Sequence, residues 1–186
     1  GYKMKTIILN GSPRIDGNTS ALVRMLMSQL EGEVFHVRTY EAKVQPCLDC
    51  RYCWTHPKCA IDDDMTEIYD WLMTANAVVL ASPLNFSQLS GSLMSLLSRL
   101  QLFFAGQYIR QDGNPGMKNK KGLLLLAAGG ATKKPELAIR MSRPFFRELK
   151  AEYIGCVATM NTDQIKAEDD EEIAEQLKAM AVELLK

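Results

Sequence analysis

Two short stretches hold most of the residues able to do chemistry. The first is GSPRIDGNTS, residues 11–20, where Ser12, Asn18, Thr19 and Ser20 offer hydrogen-bond donors and Arg14 a positive charge. It follows an apolar run, TIILN (6–10), and leads into an amphipathic stretch, so it lies between a strand and a helix start. Exposed amides and the positive end of a helix dipole make that place an anion site. Arg14 adds a charge-assisted contact, and the set suits a phosphate monoester. The loop lacks the Gly-Lys-Ser/Thr of a Walker A motif and is not G-x-G-x-x-G. Its bland alternative is a polar turn in which Asn18 or Thr19 merely caps a helix.

The second stretch is PCLDCRYCWTHPKCAIDDDM, in which Cys47, Cys50, Cys53 and Cys59 are spaced C-x2-C-x2-C-x5-C. Three thiolates at three-residue intervals are what a 4Fe-4S cubane uses. Zinc on four thiolates, or on three with His56, is a rival, although zinc sites usually pair two knuckles across a longer spacer. Any C-x-x-C is also a candidate dithiol, and plain reduced cysteines packed in a loop are the fourth reading.

The elements that must position these loops show as an alternation. Strands are expected at 6–10, 33–40, 77–82, 122–128 and 153–159, and helices at 19–31, 64–75, 88–104, 134–150 and 169–185. The third and fourth strands are apolar throughout, as in a sheet covered on both faces. Asp64, with Glu67 three residues on, reads as a capping box opening the second helix. The pattern predicts one doubly wound α/β domain over residues 1–186 with a parallel sheet, its ligand site beyond the carboxyl ends of the strands. The turns after the first, third and fourth strands, 10–20, 82–91 and 127–135, are then the informative ones.

Bulk composition narrows the partners. Lys+Arg and Asp+Glu each number 22, so no net field selects nucleic acid or a membrane surface. No apolar run approaches the ~20 residues of a membrane span, and the start has no secretory apolar region. Four of the five cysteines crowd between 47 and 59, unlike a disulfide framework spread to staple distant segments. The expectation is a cytoplasmic protein.

NGSPRxxGNT after the first strand resembles the phosphate loop of the NAD(P)H-dependent FMN reductases, a flavodoxin-fold group. SPLNFSQLSG (82–91) is similar to the segment that flanks the flavin ring there, and Gly129–Gly130 matches the third loop. The resemblance implies a five-stranded flavodoxin-like sheet in the order 2-1-3-4-5, with helices on both faces. It implies FMN phosphate on Ser12, Arg14, Asn18, Thr19 and Ser20. Pro83, Leu84, Asn85 and Phe86 would line the ring, with Gly129 and Gly130 at its pyrimidine end. Many relatives carry Tyr at the place of Asn85. NAD(P)H would deliver hydride to the flavin, and a quinone, a nitroaromatic or free flavin would take the electrons. No side chain is assigned a general acid, base or nucleophile role. The cysteine spacing also matches the compact motif of the iron–sulfur flavoproteins, a branch of the same fold group. Many FMN reductases, however, carry C-x-x-C-x-x-C…C…DDM with no known cluster. The resemblance further implies a homodimer or homotetramer with the flavin at a subunit boundary.

Other residues have structural readings. Cys156 is a small apolar core residue and His36 is structural. Asp62–Asp64 are acids in the first turn of a helix, although they could also hold a divalent ion. Residues 112–122 form a flexible connection. Phe103, Phe104 and Tyr108 belong to a helix's apolar face or, by resemblance, to a partner's flavin site. Lys133 and Lys134 are solvated or near nicotinamide phosphates, and Phe86 alone would read as core. The tail is an amphipathic helix packed on the sheet.

Overall fold

A computed structural model describes residues 3–130 and 134–186. Lys133 lies outside the described residues. Strands β1 (Lys5–Asn10), β2 (Glu33–Arg38), β3 (Ala77–Pro83), β4 (Lys120–Ala127) and β5 (Ala151–Thr159) pair in parallel in the order β2-β1-β3-β4-β5. The strand order reverses beside β1, between β1 and β3, where a doubly wound sheet opens a crevice for a ligand. The fold matches expectation.

Period-two alternation of side chains sorts the core onto the two faces. Ile7, Leu9, Val78, Leu80, Leu124 and Leu126 face α2 (Met65–Thr74), α3 (Gly91–Ser98), α4 (Gln101–Tyr108) and α5 (Glu136–Glu148). Ile8, Val79, Leu123 and Leu125 face α1 (Asn18–Met27) and α6 (Glu171–Leu184). Central β3 and β4 are buried on both faces, which explains their unbroken apolar composition. Truncating a residue such as Leu124 to Ala would cost about 2–5 kcal/mol.

Three local expectations are corrected. The helix expected over 88–104 is two helices, because Arg99 N–H and Leu100 N–H bond three residues back, to Leu96 and Leu97 at 3.0 Å each. That tight turn redirects the chain and leaves the Arg99 side chain buried beneath the cysteine loop. Asp64 does not cap α2: it is itself helical in backbone, and its Oδ2 accepts Lys43 N–H at 2.7 Å. Asp63 Oδ1 accepts Met65 N–H instead, at 3.0 Å. The second strand ends at Arg38 rather than 40, where Thr39 N–H bonds Asn10 O at 2.9 Å and the chain turns. The tail helix is capped by Asp170, whose Oδ1 takes Glu172 and Ile173 N–H.

Candidate functional site

At the carboxyl end of β1 the chain turns under α3. A Cβ on Gly11 would lie 2.6 Å from Ser90 Oγ and 2.9 Å from Leu93 Cβ, so only glycine lets the loop pass there. Buried Asn10 anchors the root of the loop: its Oδ1 accepts Ser12 N–H at 3.0 Å, and its Nδ2 lies 3.1 Å from His36 Nε2. Burial, then nearby Arg38, holds the His36 imidazole below its ordinary value. His36 is thus a structural neighbour of that root.

Ser12 Oγ donates to Arg14 O at 3.0 Å and accepts Arg14 N–H at 3.2 Å, while Ser20 Oγ donates to Arg14 O at 2.7 Å. The two serine hydroxyls therefore fold the loop. Asn18 Oδ1 is also committed, accepting Ala167 N–H at 2.9 Å and leaving its amide nitrogen as the donor. Gly17 precedes α1 and supplies no side-chain cap, so neither Asn18 nor Thr19 acts as the helix cap of the bland reading. The first-turn amides face the loop uncapped, and Arg14 has no ion-pair partner among the described residues. Free amides, a dipole and an uncompensated guanidinium are what a phosphate dianion needs.

A pocket of about 200 Å³ opens at this point, across the ends of β1, β3 and β4. From the expected set it brings together Ser12, Arg14, Asn18, Thr19, Pro83, Leu84, Asn85 and Gly129. Ser20, Phe86 and Gly130 do not line it. Ser20 is buried behind the loop, and a Cβ on Gly130 would meet nothing within 4 Å among the described residues. Pro13, Ala127 and Ala128, which lie in the first and third of the informative turns, line it as well, and so does Thr162, which no sequence motif marks. Thr162 arrives because its N–H and Oγ1 both bond Ala128 O at 3.1 Å, a long-range contact with no signal in the local chain.

Phe86 is neither core nor pocket wall: it is 99% exposed. Asn85 and Gln88 exchange backbone bonds at 2.9 Å, and the two residues between them, Phe86 (φ 50°) and Ser87 (φ 63°), are both left-handed. Such two-residue turns favour Asn-Gly, so a Phe here is strained.

The cysteine loop lies elsewhere, between β2 and α2. Its ends are tied by Lys43 and Asp64, and by Gln45 N–H to Asp63 Oδ2 at 2.9 Å. Cys47 N–H bonds Ser98 Oγ at 2.9 Å, and Arg110 Nη1 donates to Cys53 O. Cys47, Cys50, Cys53 and Cys59 all border one small hollow, with Arg99 also in its wall. His56, its ring stacked on Tyr52 with centroids 4.0 Å apart, is not in that wall. Asp63 and Asp64 accept backbone amides, and Asp63 also pairs with Arg99 at 2.7 Å. Burial first, then Cys47 and Cys59, push the Cys53 thiol up. Among the described residues no three or more His, Cys, Asp or Glu side chains are gathered closely enough to hold a metal ion. The donor chemistry nonetheless suits a cluster: four thiols on one hollow, an amide donor to Cys47 Sγ from Asp49 at 3.4 Å, and a cation beside Cys59. A larger cavity of about 720 Å³, sharing no wall with the strand-end pocket, lies between this loop, α2 and α4.

Cys156 is a strand residue on the core's edge, its thiol pushed up to about 12 by burial. Phe103 is buried core, whereas Phe104 and Tyr108 are exposed, their rings 4.8 Å apart. The 112–122 connection is pinned by Asn114 Nδ2 on Phe103 O at 2.8 Å. Lys134 is exposed.

A doubly wound parallel sheet in the order β2-β1-β3-β4-β5, with a pocket across the ends of β1, β3 and β4, is the fold of a flavodoxin-like protein. The chain belongs to the NADPH-dependent FMN reductase family, whose model matches residues 4–164. It is 34% identical over 110 residues to an iron–sulfur flavoprotein of Methanocaldococcus jannaschii, covering 58% of this chain and 57% of that one. An iron–sulfur flavoprotein of Archaeoglobus fulgidus is 28% identical over 141 residues, 74% of this chain and 69% of the other. The chain thus spans little more than half of the first relative. An FMN-dependent NADH-azoreductase of Bacillus anthracis, solved in complex with FMN, superposes with a TM-score of 0.65 at 15% identity over 98% of this chain and 100% of that one. No helix among the described residues is long and apolar enough to cross a membrane.

Proposed function

We propose that the protein is an FMN-dependent NAD(P)H oxidoreductase that passes electrons to a small acceptor, a quinone, a nitroaromatic or free flavin. The observation that carries this reading is the uncapped start of α1 with free Arg14, opening on a pocket across β1, β3 and β4. The residues fit FMN. Amides of Asn18 and Thr19, with Arg14, would take the phosphate, and Pro83, Leu84 and Ala128 offer an apolar wall for a flat ring. Bound FMN supplies hydride acceptance from a nicotinamide and electron release to a second substrate. The chain binds and orients: Ser12 and Ser20 keep the loop in shape, Gly129 lets backbone approach, and no side chain is asked to move a proton. A cytoplasmic homodimer or homotetramer fits four cysteines crowded into one short segment and the exposed Phe104 and Tyr108.

A second reading is favoured by the four cysteines sharing one hollow and by the names of the two iron–sulfur relatives. In it Cys47, Cys50, Cys53 and Cys59 hold a 4Fe-4S cluster and the protein is an electron carrier. The test is the visible spectrum of protein purified without oxygen, before and after NADPH or NADH. A two-banded yellow spectrum that bleaches supports the reductase. A brown absorbance that bleaches with dithionite but not with nicotinamide favours the carrier. Protein that fails to take up FMN overturns both.

A further inference from the structure

Neither Asn10 nor His36 lines the strand-end pocket, yet the two meet at the root of the loop that does. Asn10 Oδ1 accepts Ser12 N–H at 3.0 Å, and its Nδ2 reaches Ser20 Oγ at 3.4 Å and His36 Nε2 at 3.1 Å. Ser12 and Ser20 are the hydroxyls that fold the loop onto Arg14 O, so one buried amide grips both. Only one orientation of that amide works. A backbone N–H donates and never accepts, so the Asn10 oxygen faces Ser12 and the nitrogen faces the imidazole. His36 Nε2 is then the acceptor, which puts the proton of the neutral ring on Nδ1.

A second proton on His36 breaks this arrangement. Nε2 and Asn10 Nδ2 become two donors 3.1 Å apart. Turning the amide over relieves the ring but sets the nitrogen against Ser12 N–H, again two donors, where Asn10 and Ser12 are both buried. Either orientation leaves a buried donor without an acceptor, which costs more than the bond was worth. Burial opposes that proton most, Arg38 opposes it and Glu41 favours it; the last two are themselves paired at 2.8 Å. The neighbours on this side of the sheet add few charges: β1 carries Lys5 at its far end, α1 carries Arg24, and the loop between them Arg14 and Asp16.

We propose that Asn10 and neutral His36 are positioning residues of the FMN phosphate loop, and that a proton on His36 loosens the loop's hold on the phosphate. The proposal rests on the FMN reading and deepens it. Both residues act through Ser12 and Ser20 rather than by touching the cofactor. Proton and phosphate then oppose each other, so bound FMN lowers the pH at which His36 titrates. A phosphate acting through space alone does the reverse, because its charge favours the imidazolium.

The experiment pairs FMN titration by fluorescence quenching, between about pH 7.5 and 5, with NMR of the imidazole rings. The chain has two histidines, and exposed His56 is the reference for His36. Over that range wild type should lose FMN affinity about fivefold more than H36Q. Gln accepts the Asn10 bond but takes up no proton, and the comparison cancels the titration of the FMN phosphate itself. In flavin-free protein at the upper pH, long-range nitrogen–proton correlation should find His36 protonated on Nδ1. Saturating FMN should lower the His36 midpoint and leave that of His56 in place. A purely structural role gives parallel pH profiles for wild type and H36Q, with a His36 midpoint indifferent to FMN. That result, a proton on Nε2 in the neutral ring, or a midpoint that rises with FMN overturns the assignment while the FMN reading stands. If H36Q does not fold, the wild-type NMR decides the matter. Wild-type protein that takes up no FMN at the upper pH overturns that reading, and the assignment with it.

Discussion

The loop after β1 and the loop after β2 solve the same problem, holding polar groups in place beyond the carboxyl ends of neighbouring strands, by different means. The first is short and bonds to itself: Ser12, Arg14 and Ser20 close it within nine residues of sequence. The second runs from Thr39 to Asp64 and is held from outside, by Ser98, Arg99 and Arg110 in a distant part of the chain. It also carries two left-handed non-glycine residues, Asp49 (φ 49°) and Arg51 (φ 63°), between the cysteines. A self-bonded loop is formed before its ligand arrives. An externally clamped loop depends on its clamp, and its sulfurs share a hollow without closing around one ion.

The strongest way to break the contrast is to remove the clamp. Arg99→Met should destabilise the protein by about 3 kcal/mol, because it leaves Asp63 buried without its partner. FMN affinity should not change. Denaturant unfolding and flavin titration on the same variant check both halves, and a flavin affinity that falls with stability would show the loops are not independent. Removing Arg14 attacks the other side. Arg14→Ala should weaken FMN by about 2 kcal/mol, roughly thirtyfold, with riboflavin binding unaltered, since only the phosphate contact is lost. Equal losses for FMN and riboflavin would move Arg14 off the phosphate.

Smaller effects sharpen the picture. Phe86→Gly should raise stability by about 1 kcal/mol by relieving a left-handed phenylalanine that buries nothing. A fall in hydride transfer from NADPH in that variant, followed by flavin bleaching, would place Phe86 over the ring in the working assembly. The smallest effect belongs to His36. Its folded value lies below the ordinary 6.5, so its contribution is complete above that pH and is lost as pH falls below it, where the unfolded chain takes up the proton first. Urea midpoints at pH 7.5 and 5.5 should therefore separate more in wild type than in His36→Gln.

Legibility followed the range of the interactions. The alternation of TIILN with AVVLAS and GLLLLAA carried the parallel sheet, because burial on both faces demands continuous apolar strands. Eight of the eleven residues expected around FMN line one pocket because most sit in turns next to a strand end. Phe86 escaped because nothing in SPLNFSQ marks the Phe-Ser pair as a turn that ordinarily calls for Asn-Gly. Thr162 escaped because it reaches the pocket by bonding Ala128 O, a contact between the segments that follow β5 and β4. The 88–104 stretch is apolar at helical spacing throughout, and its break at Arg99 answers to a loop some fifty residues earlier.

By itself, then, the sequence determined the strand–helix alternation, the parallel sheet that alternation demands, and a turn of glycines, hydroxyls and an arginine after β1. Each depends on side-chain periodicity or on neighbours a few residues away. Only the tertiary structure decided that Arg99 lies against Cys59, that four cysteines share a hollow, and that Phe86 stands in solvent. Those outcomes depend on which distant segments meet. Burial of a charge or exposure of a ring is a property of that meeting, not of the local chain.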